Sequence, residues 1–246
     1  MVLGAGLGSR MGALTAVTPK PLLPLAGTPM IELIAARLAA TGVHEIFVNL
    51  HFGADLMAAY LDRMDVGVPV RYAVEERLSG PAGALRLFRD ELSAYNAVLV
   101  SSGDVLVGDP LTDLVAAHTT HRDPLVFACA QVTGARRYGV LEISEDGLLT
   151  GAREKPDVPD DERHWVSAGV YCLATEVIDA VPAGATYDFA RDLAPALIAD
   201  GRPVRAHRLS GYWRDIGSPE SLRAAEQDAA AGNIPWLSPT GLKTEV

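Results

Sequence analysis

The chain has 246 residues, of which 49% are hydrophobic, so it is long enough to bury a large core in one or two domains. Its formal net charge of −10 argues against a broad surface for nucleic acid or for a membrane, and no apolar run reaches the length of a membrane span. The two cysteines, Cys129 and Cys172, lie in apolar runs that predict buried free thiols, so we expect a cytoplasmic protein.

The chain begins with a short apolar stretch that runs into a glycine-rich loop, Leu3-Gly4-Ala5-Gly6-Leu7-Gly8-Ser9-Arg10-Met11. Residues 1–3 are fewer than a typical strand contains, so we expect a first strand that pairs over only about three residues. Because glycine lacks a Cβ atom, the loop can bend sharply and point several backbone N–H groups at one anion. Lys20 follows between two prolines that restrict the backbone around it. Together with Arg10, these features predict a site for a polyphosphate.

The stretch does not match the sequence patterns of two better-known glycine-rich loops, the dinucleotide-binding loop and the P-loop. A dinucleotide-binding loop needs a third glycine where Ser9 stands. It also needs an acidic residue near the end of the second strand, which is predicted at 45–50 and ends in Asn49-Leu50-His51. A P-loop needs its lysine directly after the glycines, whereas Lys20 comes much later. Taken alone, the glycines could also form an ordinary tight turn.

Helices and strands alternate in the prediction as far as residue 123. Periodicity and turn residues predict helices over 29–40, 54–63 and 110–121, and strands over 45–50, 68–74 and 96–101. From residue 124 strands and turns dominate, with a hairpin of 140–143 and 148–153, a strand at 166–171, a helix at 188–199 and a strand at 203–207. Thr28 and Ser218 are expected to cap the first and last helices. This order predicts an α/β fold, a three-layer α/β/α sandwich around a Rossmann-like mixed sheet.

Two aspartates stand where open α/β sheets bind ligands. Asp104 follows the strand at 96–101, and ligands lie beyond the carboxyl ends of parallel strands. Asp215 borders the glycine of the loop Tyr212-Trp213-Arg214-Asp215-Ile216-Gly217, which precedes the last helix. We therefore expect both carboxylates at the rim of the sheet that faces the glycine loop.

The two N-terminal motifs, 4–11 and 19–27, together resemble the signature of the sugar-1-phosphate nucleotidylyltransferases, also called NDP-sugar pyrophosphorylases. Further segments repeat the resemblance as far as about residue 229: 75–85, 138–140, 154–156, 166–171 and 211–220. The acidic Glu75-Glu76 with its Gly-x-Ala-Gly loop looks most like the mannose-1-phosphate guanylyltransferases. Pro81 stands where the family commonly has threonine, and Ser167 stands where it usually has asparagine.

The resemblance implies a role for each matching residue. It assigns the nucleotide to Leu3, Gly4, Ala5, Gly6, Gly8, Ser9, Arg10, Lys20, Glu75, Gly80 and Ala82. It assigns the sugar phosphate to Gly139, Glu154, Lys155, Ser167 and Gly169. It makes Arg10, Lys20, Asp104 and Lys155 catalytic, and it makes Asp104 and Asp215 the ligands of a Mg²⁺ cofactor. Residues 1–231 would form a single domain, with a nucleotide-binding part at 1–123 and a sugar-phosphate part at 124–231, and residues 232–246 would form a peripheral tail.

The implied reaction joins a nucleoside triphosphate (NTP) to a sugar 1-phosphate and gives an NDP-sugar and pyrophosphate. The sugar phosphate attacks the α-phosphorus in line; it is already an anion, so no general base is needed. The segment at Glu75 favours GTP, and thymidylyl- and uridylyltransferases stay open. Two other hypotheses remain: an enzyme of the same superfamily that uses an alcohol phosphate such as phosphocholine, and a non-catalytic regulatory relative that only binds nucleotide sugars. The expected partners are small-molecule substrates, without nucleic acid or membrane, and a homo-oligomer is a possible state.

Overall fold

The computed structural model describes residues 1–154, 157–238 and 241–242. The strands are β1 (Val2–Leu3), β2 (Pro24–Leu25), β3 (Thr28–Pro29), β4 (Ile46–Leu50), β5 (Val70–Val74), β6 (Ala97–Ser102), β7 (Val105–Val107), β8 (Leu125–Val132), β9 (Gly139–Ile143), β10 (Leu149–Glu154), β11 (His164–Ala174), β12 (Val204–Arg208), β13 (Trp213–Asp215), β14 (Leu237–Ser238) and β15 (Gly241–Leu242). The α-helices are α1 (Met30–Ala39), α2 (Ala54–Leu61), α3 (Gly80–Gly83), α4 (Arg89–Leu92), α5 (Leu111–His121), α6 (Ala194–Ala199) and α7 (Pro219–Ala230).

The strands form a mixed parallel and antiparallel sheet with flanking helices, so the predicted α/β fold class is confirmed. The chain divides into two compact units. The first is built from Met1–Arg77, Ser101–Leu111 and Gly211–Val246, and the second from Leu78–Val100 and Thr112–Ser210. No helix in the part of the chain that the structure describes is long and apolar enough to cross a membrane.

The first unit is organised around parallel strands. β1 pairs with β4 on one side and with the end of β6 on the other, and β4 also pairs with β5. Every residue of β4 is buried, as its nearly continuous apolar sequence predicts for a parallel strand. β1 is only two residues long, so the expected short first strand is observed. The carboxyl ends of β1, β4 and β6 therefore share one edge, and the glycine loop starts from it.

The second unit is organised around antiparallel strands, as the change of pattern after residue 124 predicts. β11 pairs antiparallel with β8 and with β9, and β9 and β10 form the predicted hairpin. β12 runs parallel to β8. In its core the ring of Tyr171 stacks on Phe189, with ring centroids 3.9 Å apart.

Helix ends agree with the sequence in one case and differ in two. Ser218 caps α7 through a capping box, with Pro219 at the first position, as predicted. The expected Thr28 cap is wrong, because Thr28 and Pro29 pair with β2 as strand β3 and α1 starts at Met30 without a side-chain cap. The helix predicted over 188–199 begins with a π-helical turn, and regular α-helix starts only at Ala194.

The segment after Gly232, expected to be peripheral, is packed into the first unit as far as it is described. Ile234 and Leu237 are fully buried with Met11, Leu25 and Ile216. The indole N–H of Trp236 donates to the backbone oxygen of Val107 over 2.8 Å. Ile234, Trp236 and Leu237, which lie in the segment expected to be a tail, therefore contribute apolar side chains to a buried core.

Both cysteines are buried free thiols, as the sequence predicts. Burial raises the pKa of the Cys172 thiol to about 12 and that of the Cys129 thiol further. Neither group is a thiolate near neutral pH, so neither is available as a nucleophile.

Candidate functional site

The glycine loop leaves β1 at a point where only a glycine fits. A Cβ atom on Gly4 would lie 2.9 Å from the backbone oxygen of Asn49 and 3.1 Å from a methyl group of Val48. The chain is then exposed at Gly6, and it turns through Gly8 into a short 3-10 helix at Ser9–Thr15. The loop is thus packed against β4 at Gly4 and is exposed to solvent at Gly6.

Lys20 is held in the first unit with its ammonium group against a carboxylate. It lies in a 3-10 turn, Lys20–Leu22, and only 7% of its surface is exposed. Its Nζ atom is 2.5 Å from Oδ2 of Asp104, whose side chain is 29% exposed. The buried lysine therefore meets the partly open aspartate at the carboxyl end of β6.

Asp104 and Asp215 are brought together by a pair of strands that sequence reasoning did not predict. β7 and β13 pair antiparallel, with Asp215 opposite Val105. The backbone N–H of Ile216 donates to the backbone oxygen of Asp104 over 2.8 Å. Among the described residues, no group of three or more His, Cys, Asp and Glu side chains could hold a metal ion. Asp104 and Asp215 thus contribute two carboxylate side chains from neighbouring backbone positions.

Arg10 packs against the loop that follows Asp215. A Cβ atom on Gly217 would lie 2.8 Å from Nη1 of Arg10 and 3.0 Å from its Cζ atom, so the guanidinium uses the space that this glycine leaves. The first unit therefore gathers the two cationic residues of the N-terminal motifs and the two aspartates predicted at the rim.

The loop after Asp215 is tied to the last helix by a polar network. Arg214 Nη2 and the Tyr212 hydroxyl both contact Oδ2 of Asp228, over 2.7 Å and 2.8 Å. Burial raises the pKa of Tyr212 to about 12. Burial alone would raise the pKa of Asp228, but hydrogen bonds from Tyr212, Asn233 and Arg214 bring it below its usual value. Asp228 is thus held as a carboxylate that anchors the loop to α7.

Glu75, predicted on the nucleotide side, is a buried carboxyl with only 4% of its surface exposed. Its Oε1 atom accepts a hydrogen bond from Nδ2 of Asn49 over 2.5 Å, and Oδ1 of Asn49 accepts from the N–H of Gly4 over 3.0 Å. Sequence reasoning missed Asn49. The available signal was a single amide side chain within an apolar strand.

Gly80 and Ala82 lie in the second unit and face its own backbone. The N–H groups of Ala82 and Gly83 donate to the oxygen of Tyr187 over 3.0 Å and 3.1 Å, and the N–H of Tyr187 donates to the oxygen of Ser79 over 2.8 Å. Ala82 is fully buried, whereas Pro81 is exposed. The two predicted nucleotide residues therefore start a short helix that is fixed on Tyr187.

The residues predicted for the sugar phosphate lie on neighbouring strands of the second unit. Gly139 opens β9 and is paired with Glu154 at the end of β10. Ser167 and Gly169 lie on β11 at an irregularity in its pairing with β8, and the Ser167 hydroxyl is 3.0 Å from that of Tyr171. Lys155 lies outside the described residues. The backbone thus brings Gly139, Glu154 and β11 together.

The family model described as Nucleotidyl transferase matches residues 1–232, and the chain belongs to this family. The resemblance stated from the sequence is therefore confirmed.

Two curated relatives illustrate the range of the family. The chain is 30% identical to a mannose-1-phosphate guanylyltransferase of Mycobacterium tuberculosis over 96% of this chain and 65% of that protein. It is 30% identical to a UTP–glucose-1-phosphate uridylyltransferase of Synechocystis over 88% of this chain and 59% of that protein. The chain thus spans 59–65% of the length of these relatives.

A solved structure shows the same fold. It is a protein of Bacillus anthracis, proposed to be a glucose-1-phosphate thymidylyltransferase, and it superposes with a TM-score of 0.82 at 24% identity over 92% of each chain. The predicted sheet architecture is therefore that of a known fold.

Proposed function

We propose that this chain transfers a nucleotidyl group from an NTP to a sugar 1-phosphate and releases pyrophosphate. The observation that carries the proposal is the contact of the Lys20 ammonium with Asp104, beside the glycine loop and next to the strand that ends at Asp215. The names of the two curated relatives support it, because both act on a sugar 1-phosphate with a nucleotide.

In this proposal the glycine loop and two cations hold the triphosphate. The amides from Ala5 to Ser9 and the Arg10 guanidinium bind the β- and γ-phosphates. Lys20 exchanges Asp104 for oxygens of the α-phosphate and the leaving pyrophosphate, where negative charge develops during in-line attack. Since Lys20 is buried before the NTP binds, its side chain loses little further conformational freedom in this exchange.

The proposed cofactor is Mg²⁺, held by Asp104 and Asp215. Asp215 at the end of β13 and Asp104 directly before β7 fit this ion, which prefers oxygen ligands and takes the remainder of its shell from water and substrate phosphates. When bound, the ion would neutralise phosphate charge and polarise the reacting phosphoryl group. The backbone hydrogen bond from Ile216 to Asp104 holds the backbones of the two segments that carry these carboxylates next to each other.

The sugar phosphate is assigned to residues of the second unit. Gly139 permits close approach, Glu154 accepts hydrogen bonds from sugar hydroxyls, and Lys155 binds the attacking phosphate. Ser167 and Gly169 complete this assignment on β11. Residues 1–123 then serve mainly the nucleotide and residues 124–231 the sugar phosphate, within one nucleotidyltransferase domain.

GTP is the first nucleotide to test, with UTP and TTP as the alternatives. Glu75, Gly80 and Ala82 are assigned to the nucleotide side, and GTP is favoured because the acidic segment at Glu75-Glu76 resembles that of the mannose-1-phosphate guanylyltransferases. These substrates place the enzyme in the cytoplasm, where NTPs are available.

A panel of NTPs against sugar 1-phosphates, read by pyrophosphate release with Mg²⁺ and with EDTA, tests the proposal. We expect one pair to dominate, EDTA to stop turnover, and Asp104→Asn to remove it. Asp90→Asn is the matched control, because Asp90 is an exposed aspartate on α4 that pairs with its neighbour Arg89. Nucleotide-sugar binding without pyrophosphate release from any pair would instead support a non-catalytic relative.

A further inference from the structure

Asn49 is a buried amide in a strand whose other side chains are apolar. Only 3% of its surface is exposed, and it lies at the carboxyl end of β4, opposite Leu3 of β1. Burying an amide without hydrogen bonds costs free energy, so its partners matter. Both ends of the amide have one: Oδ1 accepts from Gly4, and Nδ2 donates to Glu75.

The chemistry of the three groups fixes the direction of this chain of hydrogen bonds. The backbone N–H of Gly4 can only donate, so the oxygen of Asn49 must face it. The NH₂ end of Asn49 is then turned to Glu75, whose oxygen accepts. Glu75 thereby holds Asn49 in the orientation that Gly4 requires, and Asn49 holds the first glycine peptide.

Glu75 is in turn fixed on the end of β4. Its N–H donates to the oxygen of Leu50 over 2.7 Å, and its own oxygen lies 2.7 Å from Nδ1 of His51. The carboxyl that holds Asn49 is therefore attached at its backbone to the same strand.

We propose that Asn49 is a positioning residue for the triphosphate and that Glu75 acts through it on the glycine loop. The inference rests on the proposed function, which makes this loop the phosphate site. Because the N–H of Gly4 is used by Asn49, the amides that face phosphate begin at Ala5. The segment assigned to the nucleotide base at Glu75 and the loop assigned to the phosphates are thus coupled through one side chain.

Reversing the hydrogen bonds tests the coupling. Asn49→Asp keeps an acceptor for Gly4 but sets two carboxylates against each other, so the NTP should bind at least roughly tenfold more weakly. The KM for the sugar 1-phosphate should stay unchanged. In the double variant Asn49→Asp with Glu75→Gln, the new amide at position 75 can donate to the new carboxylate at position 49. We expect the NTP affinity of this double variant to lie within about threefold of wild type.

Amide hydrogen exchange gives a second readout that does not depend on turnover. The peptide that contains Gly4 should exchange faster in Asn49→Asp and in Glu75→Ala, and it should return to the wild-type rate in the double variant. Asn233→Asp is the matched control, since the Asn233 amide also donates to a carboxylate, that of Asp228, but at an exposed position.

The outcomes separate this inference from the proposed function. A double variant no better than Asn49→Asp in both NTP affinity and exchange would overturn the coupling, even if the wild type is an active transferase. A wild type that releases no pyrophosphate would reject the proposed function, while the exchange rates would still decide whether Asn49 holds the loop. If Asn49→Asp does not fold, Glu75→Ala decides: an unchanged exchange rate at Gly4 would overturn the coupling.

Discussion

At the scale of single residues, the site depends on where two cationic side chains lie. Lys20 is buried against Asp104, and Arg10 lies in the space above Gly217. Each group is positioned by a different physical cause, an ion pair in the first case and a missing Cβ atom in the second. Substitutions at Lys20 and at Gly217 should therefore have different effects.

Lys20→Ala should lower kcat by roughly 10²–10³, because one preorganised positive group near the reacting phosphate is lost. The melting temperature should change little, since the Asp104 side chain is partly exposed and can be hydrated. Lys20→Arg should fail as well, because a planar fork does not replace a compact ammonium group. Pyrophosphate-release kinetics and a thermal melt measure both effects, and activity within a few-fold of wild type would contradict this role.

Gly217→Ala should weaken NTP binding by about tenfold without loss of stability. The three nearest neighbours of the added methyl group all belong to the flexible end of Arg10, which can move aside. The check is a double-mutant cycle: on an Arg10→Ala background the same substitution should have no further effect. A large fall in melting temperature, or a second loss of affinity on that background, would show that Gly217 serves another purpose.

At the scale of elements, local patterns predicted most of the helices and strands but not the long-range pairings. The buried strand β4 and the Ser218 cap follow from nearby residues alone. The pairing of β7 with β13 joins short segments far apart in sequence, and no local periodicity reveals it. Asn49 was missed for a related reason: its role depends on a hydrogen bond to Glu75, which follows the neighbouring strand β5. Local sequence patterns thus predicted which segments form helices and strands. They did not predict which distant side chains come into contact, because tertiary packing determines that.

The pairing of β7 with β13 predicts that Asp104 and Asp215 act as a unit. Asp104→Asn and Asp215→Asn should each abolish turnover, and the double variant should be little worse than either single one. Titration of Mg²⁺ into the protein with bound NTP should show weakened metal affinity in both single variants. Additive losses, or an Asp215→Asn enzyme with normal Mg²⁺ dependence, would separate the two residues.

The contact of β13 with α7 through Asp228 predicts a pH-dependent stability. Because the pKa of Asp228 is lowered in the folded state, its contribution is present above the unfolded pKa of about 3.9 and is lost as the pH falls through the lower folded value. Asp228→Asn should therefore cost about 1–3 kcal/mol of unfolding free energy near pH 7 and progressively less below about pH 4. Denaturant unfolding at both pH values measures this, and a pH-independent difference would argue against it.

At the scale of the whole molecule, the first unit is assembled from three separate stretches of chain. Its core contains Met11 and Leu25 from the first stretch, Leu106 from the second, and Ile216 and Leu237 from the third. The C-terminal residues that the sequence suggested were peripheral are therefore structural members of the unit that holds the glycine loop.

Leu237→Ala should lower the free energy of unfolding by about 2–5 kcal/mol, as expected for a fully buried leucine. The matched control is Leu56→Ala, whose side chain is exposed and whose loss should cost less than about 0.5 kcal/mol. Chemical denaturation of both variants gives the comparison. Equal effects would mean that the last residues contribute little to the core.

Because the first unit is built from three separate stretches of chain, it cannot complete its core early in translation. Domains that are continuous in sequence can fold as they leave the ribosome, N-terminal part first. Here Met11 and Leu25 emerge well before their core partners Ile216 and Leu237, which lie far downstream in the sequence. The apolar surface beneath the glycine loop therefore stays exposed to water and to chaperones until Ile216 and Leu237 have left the ribosome.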